Sequence, residues 1–229
     1  MEDNPLVTVI IPVYNYANYI AATLDSVFAQ TYCPIEVIVV DDGSTDNSAD
    51  IVRSYPEVQY FYQSNQGAAV ARNMAIAQST GEYIAFLDAD DYWKPNKLKV
   101  QMKYMMDNPE IRITATNVFS FLEPDTQVPT WFKSERELGE TNGMVLSSIV
   151  VHKAVFREIG DFSPPFFPSE DTEWFCRVKD AQISLVILPI PLTLRRLHGS
   201  NLTWQMITTA SSRTLRIFRE SLIRKSRSN

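Results

Sequence analysis

Tyr83-Ile84-Ala85-Phe86-Leu87-Asp88-Ala89-Asp90-Asp91 is an apolar run that ends in three carboxylates within four residues. A short β-prone run followed at once by clustered acids reads as a buried strand delivering acidic side chains to its C-terminal end. Open α/β sheets bind ligands at that edge. Carboxylates this close repel one another, so two readings stand side by side: a solvated acidic turn, or a seat for a hard divalent cation. Mg2+ and Mn2+ prefer oxygen ligands and bridge to substrate phosphates.

Upstream, the same grammar repeats. Leu6 to Val13 is a continuous β-prone run closed by Pro12 and the polar Tyr14-Asn15-Tyr16, and Ile20, Leu24, Val27 and Phe28 then recur at helical spacing. Ile35 to Val40 is a second buried strand that stops at Asp41-Asp42-Gly43-Ser44-Thr45-Asp46, ahead of a helix carrying Ile51 and Val52. A third strand, Val58 to Tyr62, runs into Gln63-Ser64-Asn65-Gln66-Gly67, and a small-residue helix from Ala68 to Ala77 follows, ended by Gly81. Four strands separated by three helices predict a parallel, helix-covered sheet with right-handed crossovers. Its acids at Asp41-Asp42 and at Asp88, Asp90 and Asp91 then face one crevice. Turn chemistry explains an Asp-Gly-Ser by itself, but it gives no reason to bring two acidic clusters to one edge.

The second half is less regular. Pro95 starts a helix with Leu98, Met102, Met105 and Met106 on one face, and Ile111 to Phe121 is a longer strand. Residues 122–143 lack periodicity and carry the isolated Trp131-Phe132, which suggests a mobile functional loop. Ser148 to His152 is a short strand and Ala154 to Ile159 a short helix. A helix runs from Glu170 to about Lys179, followed by strands at Ile183 to Leu188 and Leu192 to Leu194. In Ser169-Glu170-Asp171-Thr172-Glu173-Trp174-Phe175, Ser169 is an N-cap and acids suit the first helical turn. Spacing separates the acids: Asp171 shares a face with Trp174, Phe175 and Val178, whereas Glu170 and Glu173 align with Arg177. A carboxylate on the apolar side needs a partner or a task, and proton abstraction from a hydroxyl is the task expected of it.

Composition limits the alternatives. The chain has 229 residues, 45% hydrophobic and 21% charged, enough for one globular domain with a real core. No apolar run approaches the ~20 residues of a membrane span, and the N-terminus is acidic where a signal peptide is basic, so the expected compartment is the cytoplasm. Cys33 and Cys176 form neither a disulfide framework nor a metal motif and are expected to be half-buried thiols. The formal charge of −6 is uneven: residues 207–229 carry six basic residues against Glu220, and the rest of the chain is strongly acidic. An acidic body argues against nucleic acid as a partner. The basic tail, with Leu215, Phe218 and Leu222 on one face, is either a solvated helix packed on the domain or a peripheral contact with an anionic membrane surface. Strand one is followed by Pro12-Val13-Tyr14-Asn15, with no Gly-x-Gly-x-x-Gly and no Walker Gly-Lys-Ser/Thr. Dinucleotide and phosphoryl-transfer readings therefore fail.

Five motifs in order, Val9-Ile10-Ile11-Pro12-Val13-Tyr14-Asn15, Val39-Val40-Asp41-Asp42-Gly43-Ser44-Thr45-Asp46, Asn65-Gln66-Gly67 with Ala71-Arg72-Asn73, Leu87-Asp88-Ala89-Asp90-Asp91, and Glu170-Asp171, resemble the family 2 inverting glycosyltransferases of the GT-A fold. The resemblance covers residues 6 to 201. It implies an α/β, Rossmann-like, mostly parallel central sheet with helices on both faces, in one domain over 1–206, with a nucleotide-binding half (1–110) and an acceptor-binding half (111–206). A basic C-terminal helical tail (207–229) is appended. It also implies that Pro12, Tyr14 and Asp42 hold the nucleobase, Asp42 accepting from a uracil imide. Arg72 lies near the base or diphosphate, and Asp88 contacts the ribose side. Val13, Asn15, Gln66, Gly67 and Ala89 complete the nucleotide-sugar site. Asp90 is the main protein ligand of a Mn2+ or Mg2+, His198 resembles a C-terminal histidine closing over the diphosphate and serves as a second ligand, and Asp171 is the catalytic base. Arg195 and Arg196 contribute charge. The implied partners are a UDP-sugar donor and a saccharide or lipid-linked acceptor. Trp131 is a sugar-stacking surface or a loop anchor, and Asp91 caps the turn into the Pro95 helix. Two other classes compete: a sugar-nucleotide-binding module without catalysis, against which Asp90 and Asp171 argue, and a sugar-nucleotide nucleotidylyltransferase, which needs a Gly-rich basic loop after strand one.

Overall fold

The computed structural model describes residues 4–128, 138–142, 144–166, 169–199 and 201. Trp131, Phe132 and the 207–229 tail, with the readings attached to them, lie outside the described residues. In chain order the elements are β1 (Val7–Val13), α1 (Ile20–Phe28), β2 (Ile35–Asp41), α2 (Ser48–Arg53), β3 (Val58–Tyr62), α3 (Ala68–Gln78), β4 (Tyr83–Phe86), β5 (Tyr92–Trp93), α4 (Lys97–Asp107), β6 (Ile113–Leu122), β7 (Gly139–Thr141), β8 (Val150–His152), α5 (Ala154–Ile159), α6 (Glu170–Asp180) and β9 (Leu185–Leu197). They build one sheet in the order β3-β2-β1-β4-β8-β6-β9-β5, with β7 added to β6. The strands β1 to β4 run parallel, as do β6 and β9, and β5, β7 and β8 run antiparallel to their neighbours.

Successive side chains on a strand point to opposite faces, so strands covered on both sides must be apolar throughout. In β1, Ile10 packs with α3, α5 and α6 residues on one face, and Val7, Val9, Ile11 and Val13 pack with α1, α2 and α4 residues on the other. The alanines of α3 (Ala69, Ala71, Ala75) are buried and let its backbone sit close to the sheet. On the same face Trp174 is fully buried and stacks on Phe156 at 5.1 Å between ring centroids.

The parallel register decides where the site lies. Val13 pairs with Asp41, Asp41 with Tyr62, and Ile10 with Phe86. The segments that leave these strands, 14–19, 42–47, 63–67 and 87–91, therefore emerge on one sheet edge.

Several local expectations need correction. The fourth helix begins at Lys97, two residues after Pro95, and Met106 is exposed while Leu98, Met102 and Met105 form the buried stripe. Phe28 is likewise exposed and stacks on Tyr55. The strands expected at Ile183 to Leu188 and Leu192 to Leu194 are one strand, β9, with an irregularity opposite Thr116, Asn117 and Val118. Pro189 and Pro191 interrupt the sequence pattern, and a bulge accommodates prolines within a strand because the ladder is already broken there. Gly139–Thr141, expected as loop, adds to the end of β6. Both cysteines are exposed rather than half-buried.

Candidate active site

On that edge lies a cleft of about 720 Å³. Every residue expected in the nucleotide-sugar site lines it: Pro12, Val13, Tyr14, Asn15, Asp42, Gln66, Gly67, Arg72, Asp88 and Ala89, together with Asp90 and Asp171.

One wall is the pair of loops after β1 and β2. Asn15 adopts a left-handed conformation (φ 57°), tolerable for asparagine and uncommon otherwise. It is held there from both ends: its N–H donates to Ser44 Oγ at 3.0 Å and its Oδ1 accepts from Thr45 N at 2.7 Å. Ala17 N donates to Asp46 Oδ2 and Tyr16 N to Ser48 Oγ, both at 3.0 Å. Burial opposes ionisation of Asp46, but the hydrogen bonds from Ser48 and Ala17 outweigh it and lower its pKa. Gly43 (φ +80°) has no room for a side chain, since a Cβ would meet Asn65 N at 2.8 Å. Tyr14, 45% exposed, stands free at the mouth of this wall.

Asp42 is buried and organises the next loop. Its Oδ1 accepts from Gln63 Nε2 (2.6 Å) and Gln66 N (2.8 Å), and its Oδ2 accepts from Gly67 N (2.8 Å). A carboxylate offers about four acceptor positions, so one remains for a ligand. Asp41, its neighbour, faces away and accepts from Tyr60 O–H at 2.8 Å. Burial and this bond push the Tyr60 phenol up to about 12.

Arg72 joins the two halves of the chain. Its buried guanidinium donates to Asp88 Oδ1 at 2.8 Å and to Glu170 Oε1 at 3.0 Å. Burial disfavours its charge, but the carboxylates of Asp88 and Glu170 outweigh that and raise its pKa. Glu170 is pushed upward by burial, which Arg72 only partly offsets. The helical faces thus differ from expectation: Glu170, with Trp174 and Val178 one and two turns on, forms the buried stripe, and Asp171 is half-buried at its edge. The reason is Arg72, a partner supplied from 98 residues away. Glu173 pairs with Arg177 as expected. Asp171 Oδ1 accepts from Thr172 N at 2.6 Å and Thr172 Oγ1 at 3.3 Å.

Asp90 and His198 meet, with Oδ2 and Nε2 3.0 Å apart. The His198 ring lies against Tyr19 at 4.4 Å and edge-on to Tyr16 at 6.1 Å. Burial, then Asp90 and Asp88, push the Tyr16 phenol strongly upward, and Tyr16 hydrogen-bonds Asp90. Asp91 does not cap the following helix. It is buried, accepts Arg196 N at 3.0 Å, and is pushed well above the usual carboxylate range by burial and by Asp90 and Asp88. Arg195 lines the cleft, whereas Arg196 turns toward Glu123 and the Tyr19 ring.

Among the described residues no three His, Cys, Asp or Glu side chains form a metal cage. Mg2+ and Mn2+ seldom need one when substrate phosphates supply further ligands. The donor set fits such an ion on two counts. Six carboxylates line the cleft against two arginines, Arg72 and Arg195, and Arg72 is already committed to Asp88 and Glu170. In addition, Asp90 Oδ2 and His198 Nε2, a carboxylate oxygen and an imidazole nitrogen of the kinds that ligate metal ions, converge at 3.0 Å in a hydrogen bond.

Three contributors had no sequence signal. Ser147, fully buried just before β8, accepts Asp88 N on its Oγ at 3.1 Å and Trp93 Nε1 on its carbonyl at 2.7 Å, which fixes the acidic loop from behind. Tyr19 backs His198. Asn201 donates to Asp90. Each acts across more than 50 residues of sequence, where local pattern carries no information.

A mostly parallel α/β sheet with this cleft on its edge is the architecture of GT-A glycosyltransferases. The chain belongs to Glycosyl transferase family 2, whose model matches residues 8–159. It is 45% identical over 108 residues to the putative teichuronic acid biosynthesis glycosyltransferase TuaG of Bacillus subtilis, a match covering 45% of this chain and 43% of TuaG. The chain therefore spans less than half of that relative. Among solved structures, S. aureus TarS 1-349 in complex with UDP-GlcNAc superposes with a TM-score of 0.69 over 85% of this chain and 59% of that one, at 22% identity. The mannosyltransferase PcManGT from Pyrobaculum calidifontis, in complex with GDP-Man and Mn2+, gives 0.69 over 90% and 60%, at 19% identity. At these identities the likeness establishes the fold alone. Among the described residues no helix is long and apolar enough to cross a membrane.

Proposed function

We propose that this chain transfers a glycosyl group from a nucleoside-diphosphate sugar, UDP-linked, to a hydroxyl of a saccharide or lipid-linked saccharide, inverting the anomeric centre in one displacement. The observation that carries the reading is the grouping of Asp171 with Asp88, Asp90 and the loops around Asp42 in one cleft. The nucleobase stacks at Tyr14 and Pro12 and donates its imide N–H to the remaining acceptor position of Asp42. Asp88, held by Arg72 and Ser147, meets the ribose. Asp90 and His198 would hold Mn2+ or Mg2+, which when bound would neutralise charge on the departing diphosphate.

The contacts of Asp171 fall on Oδ1, which leaves Oδ2 for the acceptor. The acceptor O–H gives its proton to Asp171 while its oxygen bonds to the anomeric carbon. The bond from that carbon to the diphosphate oxygen breaks, and its electron pair leaves with the nucleotide. Anchoring by Thr172 keeps the base in one orientation, and the ordering of acceptor against donor supplies much of the rate.

The test is nucleotide release from a panel of nucleotide sugars with Mn2+ and with a chelator. Asp90→Ala and Asp171→Asn should each lower turnover by about 10²–10⁴-fold, the range of general-base and charge-stabilising contributions. Unchanged turnover in Asp171→Asn removes it from the base role. Preference for a GDP- or dTDP-sugar overturns the uridine assignment.

A further inference from the structure

The turn after β9 carries His198 and, among the described residues, a second buried side chain, Asn201, 7% exposed. Asn201 Oδ1 accepts the main-chain N–H of His198 at 2.6 Å. A main-chain N–H can only donate, so this bond fixes which end of the amide is oxygen. The nitrogen end therefore faces the other way. It donates to Asp90 Oδ2 at 3.0 Å and to the Arg196 carbonyl at 3.2 Å. Asn201 N–H closes the turn onto the His198 carbonyl at 3.1 Å. One amide thus joins the end of β9, the backbone of His198 and the carboxylate of Asp90.

We propose that Asn201 is a positioning residue for the divalent-cation site, holding Asp90 and the His198 turn together where the ion would bind. The proposal rests on the cation-dependent reading given above. An exposed turn would let His198 sample many positions, each needing to be re-ordered when the ion arrives. With the amide in place that ordering is already done, and Asp90 is held in one orientation whether or not substrate is present. Partners that orient metal ligands in this way commonly change affinity by about 10–100-fold when removed.

The experiment is titration of Mn2+ into the full chain with saturating UDP, reading free Mn2+ by electron paramagnetic resonance. Wild type, Asn201→Ala and Asn201→Gln are compared, the longer side chain keeping the amide but displacing it. Binding of uridine, which has no phosphate and needs no cation, is followed in parallel by saturation-transfer NMR. The expected result is a loss of Mn2+ affinity of about 10–100-fold in both variants with uridine binding unchanged. If Asn201→Ala gives no cooperative melt, Asn201→Gln decides. Unaltered Mn2+ affinity in a folded variant overturns the proposal, and so does an equal loss of uridine and Mn2+ binding, which marks general loss of structure. Failure of the wild type to bind Mn2+ with UDP overturns the cation-dependent reading itself, a result separate from either of these.

Discussion

Arg72 on α3 and Glu170 at the start of α6 pair at 3.0 Å with 8% and 6% of their side-chain surface exposed, and this contact ties α6 to α3. The pair is incompletely satisfied, because Arg72 Nε and Glu170 Oε2 have no partner. Removing one member strands a buried charge, whereas replacing both with apolar groups does not. Arg72→Leu should cost about 3–5 kcal/mol in urea unfolding. Arg72→Leu/Glu170→Leu should recover most of that loss while leaving Asp88 unanchored and donor binding weak. A double variant no more stable than the single would show that the pair is not the source of the cost.

Asp42 gives a second prediction. Asn in its place keeps the shape but turns an amide N–H₂ toward at least one of Gln63, Gln66 and Gly67, all of which donate. Asp42→Asn should lose about 1–3 kcal/mol of stability from the mismatched donors. Isothermal titration with UDP should show a parallel fall in affinity.

Tyr14 makes the opposite case. It is exposed and outside the core, so Tyr14→Ala should leave the melting transition within about 0.5 kcal/mol of wild type. Loss of a base-stacking ring should weaken UDP by about 1–3 kcal/mol. Unchanged UDP affinity would move the base elsewhere in the cleft.

Lys97 predicts an unusual pH response. It is fully buried, its Nζ lies 4.1 Å from the Trp93 ring centre without a hydrogen-bond partner, and burial holds its pKa well below the usual 10.5. Between that lowered value and 10.5 the unfolded chain binds a proton that the folded chain does not, so stability rises with pH across the window. Compared with wild type, Lys97→Met should show a shallower rise in melting temperature as the pH climbs toward 10.5. Parallel profiles would mean that Lys97 keeps its proton in the folded state.

The first four strands were legible in the sequence because each is a β-prone run that ends in a polar loop. β1 to β4 and the acids at Asp41-Asp42 and Asp88-Ala89-Asp90-Asp91 on one edge follow from that pattern, while the other cleft residues followed from the resemblance to family 2 glycosyltransferases. The second half was less so, for identifiable reasons. Pro189 and Pro191 hid a single long strand behind a bulge, and its antiparallel partner before the second half, the two-residue strand at Tyr92–Trp93, is too short to have periodicity. Glu170 and Asp171 occupy neighbouring positions whose burial depends on Arg72, which helical spacing cannot see. Ser147 and Asn201 matter only through partners that the fold brings to them.

The family match ends at residue 159, yet α6 with Asp171, Arg195 on β9 and the His198 turn all come later. Under the proposed reading, the shared segment grips the leaving group and the later one takes the proton and admits the acceptor. Selection can therefore rewrite acceptor choice through α6 and the β9 turn with the uridine grip unaltered, provided a counterpart for Arg72 survives at position 170. Relatives that differ in what they glycosylate should diverge after the α5 helix and keep that one carboxylate.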